Sequence, residues 1–429
     1  MANRHFPVRP NLDQLRHQAK DLLQAIRRSD AEAVADFREH HPKSIDPASA
    51  RLADAQLALA RSYGLPSWPR LVTACRMTDA LWRGDIETVR TLVLRDPRLL
   101  HEDARGVKSN WGPPLSYAAN LGHDALIEML RSLGATDLEH AFGRACLQGR
   151  IGTARRLHAM MGSPRPSDHE LGGPAYTLNA GGTELLLELG ARLYDDNGNR
   201  LAPVDVVLET DSRTPAAKHR ILELYVEHGF KLPDTPTMAL HRGRIDLLED
   251  HLRRDPSLLT RTFSFEEIYP PELGCHDAVL ATHGTPLGGT TLLHMCADYD
   301  ELEIARWLLD RGMNVDQPAA IDADGFGGHT ALFSTVVSQP NFWMNHRGQA
   351  PDAPFTRLFL ERGANPNARA SLRKELHPGY VQGGQNGPGL EGMREFRDVT
   401  PVRWGEQFHF KKLVNPAAIQ AILERGGHR

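Results

Sequence analysis

The chain has 429 residues, of which 41% are hydrophobic and 24% are charged, and its formal net charge is -4 at pH 7. This composition is typical of a folded protein and excludes a largely disordered chain. Without a basic excess, nucleic-acid binding is not expected, because it requires clustered Lys and Arg.

The sequence also bears on the compartment. No run approaches 18 apolar residues, so no membrane span is predicted. The N-terminal residues lack the apolar core of a secretory signal. The four cysteines lie far apart and form no CxxC pair: Cys75, Cys146, Cys275 and Cys296. We therefore expect reduced cysteines and a cytoplasmic location.

Residues 11 to 75 predict a small helical module. Asn11 is a suitable N-cap for a first helix, since apolar residues recur after it at three- and four-residue spacing from Leu12 to Ile26. A second, short helix carries Ala31, Val34 and Phe37, and a third runs from Leu52 to a stop at Tyr63-Gly64.

Residues 76 to 429 repeat one pattern, which is clearest from Thr290 to Pro318. A short apolar face at residues 292–297 is followed by a longer one at residues 302–309, and Gly312 stops the second helix. Two short helices cannot bury their apolar faces alone, so copies must stack on either side. The pattern predicts a continuous array of helix pairs.

This pattern resembles the ankyrin repeat. Residues 291–296 match its T-P-L-H-x-A signature, with Leu292 in place of Pro and Cys296 in place of Ala. The glycines between paired helices fall 38, 27 and 33 residues apart, around the ankyrin period of about 33. These turn glycines are Gly84, Gly122, Gly149 and Gly182. The resemblance implies an all-α ankyrin-repeat solenoid of about nine helix pairs, in which His294 hydrogen-bonds between neighbouring repeat loops.

The N-terminal module is similar to one found ahead of ankyrin arrays in bacterial proteins. The matching portions are LDQLRHQAKDLL and ARSYGLPSWPRL. This similarity implies a bacterial source. We expect residues 1–75 to cap the first repeat, whose apolar face would otherwise be exposed.

In the C-terminal half the spacing between repeats exceeds the ankyrin period, and the extra length falls in three insertions: residues 260–289, 338–354 and 371–398. Such insertions project along one edge of a repeat array and are rich here in aromatic, charged and His residues. Two interpretations stay open at this point. The insertions line one shared pocket, or they are surface loops that merely vary.

The leading functional hypothesis is an interaction scaffold that binds a protein or peptide partner on its concave face. It rests on the repeat array and on the lack of a catalytic motif such as GxSxG or a P-loop. Aromatic and Arg residues dominate protein interfaces. The candidate contacts are Trp111, Tyr117, Tyr269, Phe326, Trp343, Arg373 and Trp404.

The alternative is an enzyme or small-molecule binder with a pocket formed by the C-terminal insertions. It requires His276, His283, Asp324, His329 and Arg373 to converge, and its weak catalytic candidates are Glu266, His276, His283, Asp324 and His329. Asp277 and Asp322 are further potential metal ligands beside these groups, but no fixed ligand spacing supports a metal site. No metal and no cofactor are predicted.

Overall fold

A computed structural model describes residues 4–210, 212–276, 284–338, 352–376, 392–409 and 411–429. These residues divide into two compact units. The first comprises residues 4–164, and the second comprises the described residues from 165 onward.

The first unit begins with the predicted helical module. Its helices are α1 (Leu12–Arg27), α2 (Ala31–His40) and α3 (Leu52–Ser62). The side chain of Asn11 accepts from the backbone amides of Asp13 and Gln14, which confirms the predicted N-cap. The module continues into the first helix pair, because Phe6, Leu15 and other apolar residues share a core with α4 (Trp68–Arg83).

Helix pairs fill the rest of the first unit. The partner of α4 is α5 (Ile86–Arg95). The other pairs are α6 (Pro114–Leu121) with α7 (Asp124–Ser132), and α8 (Leu138–Leu147) with α9 (Ile151–Met160). The first helices α4, α6 and α8 pack side by side.

The second unit carries six further pairs among its described residues. They are α10 (Gly172–Tyr176) with α11 (Ala180–Glu188), α12 (Val204–Glu209) with α13 (Pro215–Glu227), α14 (Pro236–His241) with α15 (Ile245–Arg254), α17 (Leu292–Tyr299) with α18 (Leu302–Asp310), α19 (Ala331–Val336) with α20 (Pro354–Glu361), and α21 (Pro401–Gln407) with α22 (Pro416–Glu424). A single short helix, α16 (Phe265–Ile268), precedes α17. The described residues thus hold nine helix pairs, which confirms the predicted all-α repeat architecture.

The turn inside each pair follows from backbone geometry. Gly84, Gly122 and Gly243 adopt positive φ angles of 68°, 79° and 68° at the ends of first helices, a conformation that costs glycine little. In the pair α17–α18 the same place is taken by Asp300, at φ 62°.

One feature departs from an all-helical array. The predicted insertion at residues 371–398 contributes two antiparallel strands, β1 (Ala370–Leu376) and β2 (Gly392–Val399). Leu372 pairs with Phe396 across the hairpin, and both side chains are buried. The sequence predicts an insertion here but not its strands, because apolar alternation over so few residues is a weak signal.

Candidate functional site

The loop edge of the second unit contains a cleft of about 510 Å³. Its walls come from four segments that are distant in sequence: the start of α16, the approach to α17, the hairpin between α18 and α19, and the start of β1. The residues that line it are Ser264, Phe265, Pro286, Gly288, Gly289, Ala320, Ile321, Asp322, Phe326, Gly327, His329, Leu372 and Arg373.

Backbone hydrogen bonds between successive loops hold these walls together. The amide of Gly289 donates to the carbonyl of Phe263, and the amide of Ala320 donates to the carbonyl of Gly289, each at 2.7 Å. The amide of Gly327 donates to Ser371 at 2.7 Å. The walls of the cleft are therefore held in place by hydrogen bonds between several loops and not by one loop alone.

A glycine is required at position 327, because the backbone there passes close to Ala320 in the same loop. Its φ is 118°, and a Cβ built on it would lie 1.9 Å from the carbonyl oxygen of Ala320. Any larger residue would push the hairpin open.

The turn in the loop between α18 and α19 is shaped by Asp322. One carboxylate oxygen of Asp322 accepts from the backbone amides of Asp324 and Phe326, at 2.9 Å each. This is the local bonding by which Asp residues specify turns. It leaves the other oxygen of Asp322 available for a side-chain partner.

The inner surface of the cleft is largely apolar. Phe326 and Leu372 are 4% and 1% exposed, whereas Ile321 stands 67% exposed at the rim. Phe265 is half-buried beside them. A large apolar side chain that stays in water next to a concave apolar wall is a feature of binding surfaces.

Charged groups surround this apolar surface. Arg373 donates to Asp322 at 2.7 Å and to Asp324 at 2.8 Å. Its guanidinium carbon lies 5.1 Å from the centre of the Phe326 ring, and that of Arg397 lies 4.3 Å from it. The hydrogen bond to Asp324 raises the pKa of Arg373, so Arg373 stays charged at neutral pH.

His329 lines the cleft as a neutral imidazole. Burial lowers the pKa of His329 to about 4. Its Nε2 lies 3.0 Å from the carbonyl of Pro286, so Nε2 carries the proton and donates. Within the described part of the chain its Nδ1 has no hydrogen-bond partner. His329 can accept a hydrogen bond at neutral pH but is not a ready proton donor.

His294 forms hydrogen bonds to two of the same loops. Its Nε2 lies 3.0 Å from the carbonyl of His329 in the next repeat, and its Nδ1 lies 2.9 Å from the hydroxyl of Thr291. Burial lowers the pKa of His294 to about 3. The predicted bond between neighbouring repeat loops is confirmed.

The structure brings together some of the predicted site residues. Phe326, His329 and Arg373 all line the cleft, and Asp324 is bonded to Arg373. Glu266 is exposed and does not line it. His276 is also exposed, and its backbone amide donates to Glu209 away from the cleft. His283, Trp343 and Asp277 lie outside the described residues.

The other aromatic candidates are buried. Tyr117 and Trp404 are 0% exposed, and Trp111 and Tyr269 are 7% and 1% exposed. Trp404 donates to Thr285 at 3.0 Å inside the second unit. In this conformation the four side chains contribute to packing within their units.

Sequence reasoning did not single out Ile321 or Leu372. Ile321 is the one large apolar residue in the polar turn between Gln317 and Gly325, and that isolation is a usable signal. Leu372 offered no comparable signal, because its place in the cleft depends on the pairing of β1.

The His, Cys, Asp and Glu side chains of the described residues form no group of three or more suited to a metal ion. None of the helices that these residues form combines the length and apolar character needed to cross a bilayer.

Stacked helix pairs with short turns define a helical repeat protein, in which each unit is stabilised by its neighbours. The family model for the ankyrin repeat matches residues 288–320, which contain α17 and α18. The chain therefore contains an ankyrin repeat at residues 288–320, within an array of similar helix pairs. Repeats of this kind generally mediate protein–protein interaction.

Comparison with individual proteins adds little. No curated protein matches the chain. A crystal structure of the human ASB11 ankyrin repeat domain has 15% identity and a TM-score of 0.22, over 82% of this chain and 97% of that one.

Proposed function

We propose that this chain binds a protein or peptide partner on its concave face, meaning the face of the first helices and the loop edge beside it. In the second unit, the loop-edge cleft receives an apolar side chain of that partner. The observation that carries the proposal is the exposed Ile321 beside the apolar wall of Phe326 and Leu372.

The chemistry of the cleft supports an anchoring role. Burying one Leu-sized or Phe-sized side chain contributes about 1.5–3 kcal/mol. Arg373, Asp322 and Asp324 can rearrange their bonds toward a partner's charges, because their side chains remain 30%, 38% and 67% exposed. Central apolar anchors with a polar rim are the usual anatomy of a protein interface.

A peptide-display library selected on the purified chain tests the proposal. We expect the enriched peptides to share one large apolar residue flanked by charged ones. A synthetic enriched peptide should bind the wild type, and Ile321→Asp should weaken its binding at least tenfold, since a carboxylate would then stand at the apolar rim. Isothermal titration calorimetry gives both affinities.

The matched control is Leu94→Asp, because Leu94 is 63% exposed in the first unit, close to the 67% of Ile321. This variant should bind the peptide as the wild type does. Equal binding of the peptide by Ile321→Asp and by the wild type would remove the cleft from the proposal.

A small-molecule ligand is a second candidate for the same cleft. The volume of the cleft favours this candidate. About 510 Å³ falls within the 300–1,000 Å³ typical of ligand pockets. A fragment screen by NMR distinguishes the two candidates. Fragments that bind in the cleft and displace no selected peptide would favour the small molecule.

A further inference from the structure

Two arginines in the first unit are buried without a carboxylate partner. Arg105 is 5% exposed and Arg144 is 7% exposed. Among the described residues, neither guanidinium forms an ion pair, and the Nε of Arg105 is buried without a hydrogen-bond partner. Arginine cannot relieve the cost by losing its proton, so both sites hold a full positive charge.

The second unit shows the usual solution for buried cations. Arg213 lies 2.9 Å from Asp298, and Lys218 lies 2.9 Å from Glu301, all four side chains being almost completely buried. Buried charges are ordinarily paired in this way. The first unit therefore departs from the pattern of its own chain.

The buried groups around Arg144 have more donors than acceptors. Its Nε donates to Asn120 Oδ1 at 2.9 Å, and that one oxygen also accepts from Nη2. The Nδ2 of Asn120 is buried without an acceptor, as is the Nε of Arg105. Buried donors without acceptors are rare and call for an explanation.

One aromatic cluster joins the two arginines. The guanidinium of Arg144 lies 5.4 Å from the Trp111 ring, which lies 4.6 Å from the Tyr117 ring. Trp82 Nε1 donates to the Tyr117 hydroxyl at 3.1 Å. The amide of Ala104 donates to the carbonyl of Gly112 at 3.0 Å, so the segment that carries Arg105 runs beside the segment that carries Trp111. Burial raises the pKa of Tyr117 to about 12, and the charges of Arg105 and Arg144 both act against that rise.

The neighbouring carboxylates are engaged elsewhere. Asp103 accepts from the hydroxyl of Ser109 at 2.7 Å and from its amide at 3.2 Å. Asp137 accepts from Ser116, whose hydroxyl also lies 2.9 Å from His140. Asp103 acts electrostatically on Arg105, and the Oδ1 of Asp137 is buried without a hydrogen-bond partner. Among the described residues, neither carboxylate forms an ion pair with Arg105 or Arg144, so the two positive charges stay unpaired.

We propose that the first unit contains a binding site for an oxyanion, a carboxylate or phosphate group, held by Arg105, Arg144 and the Nδ2 of Asn120 beside Trp111 and Tyr117. The planar guanidinium fork suits the paired oxygens of either group. The ligand supplies the acceptors and the negative charge that these buried groups lack. The site belongs to the first unit alone and does not depend on the cleft.

Thermal unfolding of the full chain in the presence of defined anions tests the site. The probes are inorganic phosphate, acetylated tetraglutamate and, as the neutral control, acetylated tetraglutamine, at constant ionic strength set with chloride. A bound ligand raises the melting temperature in a saturable way. A larger shift with phosphate assigns a phosphate ligand, and a larger shift with tetraglutamate assigns a polypeptide carboxylate.

The variants R105M and R144M remove each charge while keeping an unbranched side chain. Both should lose the anion-dependent shift, and both should melt higher than the wild type without anion, because a bare buried charge has been removed. The control is R98M, since Arg98 is 78% exposed and paired with Asp96 in the same unit. It should respond to anions as the wild type does.

A second variant keeps the test decisive if R105M or R144M does not fold. Asn120→Asp places a carboxylate against Arg144, so it should raise the melting temperature and abolish the response to anions. Anion shifts that persist in Asn120→Asp, or a wild type that responds to neither anion more than to tetraglutamine, would overturn the proposal.

Discussion

Two regions of the second unit use the same chemistry in opposite surroundings. In the buried core around Tyr299, Lys218 and Arg213 pair with carboxylates and lie 4.3 and 4.4 Å from the ring of Tyr299. In the loop-edge cleft, Arg373 pairs with two carboxylates and lies over the ring of Phe326. The ion pairs around Tyr299 are buried, whereas those of Arg373 are exposed to solvent.

That difference separates structural charges from available ones. The buried pair of Lys218 and Glu301 has side chains 3% and 4% exposed, so breaking it leaves a charge without water. The rim pair of Arg373 and Asp322 is 30% and 38% exposed, and water can replace either partner. We expect substitutions in the core to change stability, and those in the cleft to change binding.

The largest effect is expected from Glu301→Gln. This change removes the carboxylate that lies 2.9 Å from Lys218 and 2.7 Å from His219. Breaking a buried pair by removing one partner costs about 3–5 kcal/mol. We expect a loss of this size in the free energy of unfolding, which urea denaturation measures.

The double variant Lys218→Met/Glu301→Gln is its control, because it removes both charges and should recover most of the loss. If the double variant is as unstable as Glu301→Gln, the pair is not the source of the effect.

Gly327→Ala should come next, and it tests whether the cleft is held by its backbone. The new Cβ would meet the carbonyl of Ala320, so we expect a loss of about 2–3 kcal/mol from strain and overpacking. Gly325→Ala is the matched control, because Gly325 has φ 82° with open space around it. It should lose about 1 kcal/mol. Equal losses in the urea midpoints would contradict the close approach.

Asp300→Asn tests a titrating carboxyl group next to the buried pair of Lys218 and Glu301. Desolvation and the charge of Glu301 raise the pKa of Asp300 to about 6 from 3.8, although the residue keeps an exposed surface. The folded state then binds this proton more tightly than the unfolded state, so Asp300 makes the protein lose stability as pH rises from about 4 to about 6.

Asn tolerates the left-handed backbone at this position and does not titrate. The variant should therefore be more stable at pH 7, by about 1 kcal/mol or less in view of solvent screening, and equal to the wild type near pH 4. Melting temperatures measured across this range check the sign. A gain that is the same at both pH values would exclude the titration.

Arg373→Met should have the smallest effect on stability, below about 1 kcal/mol, because exposed ion pairs contribute little. The same variant should weaken the peptide selected on the cleft. A loss of unfolding free energy comparable to that of Glu301→Gln would erase the distinction between the two regions.

Much of the fold could be predicted from the sequence because its signals are local. Asn11 as an N-cap, the turn glycines Gly84, Gly122 and Gly149, and the nine helix pairs follow from residues within a few positions of one another. The prediction of a turn at Gly182 was wrong, because this residue lies inside α11. The placement of His294 followed from the resemblance, whose short motif carries that bond.

The candidate site was less accessible to such reasoning. Phe326, His329 and Arg373 were expected in the insertions or beside them, and all three line the cleft. Tyr117 and Trp404 are aromatic candidates like Phe326, yet their side chains are fully buried inside their units. An aromatic residue in a short helix gives no local indication of which neighbouring helix will cover it.

The sequence by itself determined the repeated helix pairs and the turns inside them, because apolar spacing and caps act over a few residues. Only the tertiary structure decided which loops meet and which charges find partners. Asp322 reaches Arg373 across 51 residues, whereas Arg144 meets an amide and not a carboxylate. Such pairings depend on how successive repeats stack, and no local pattern encodes that.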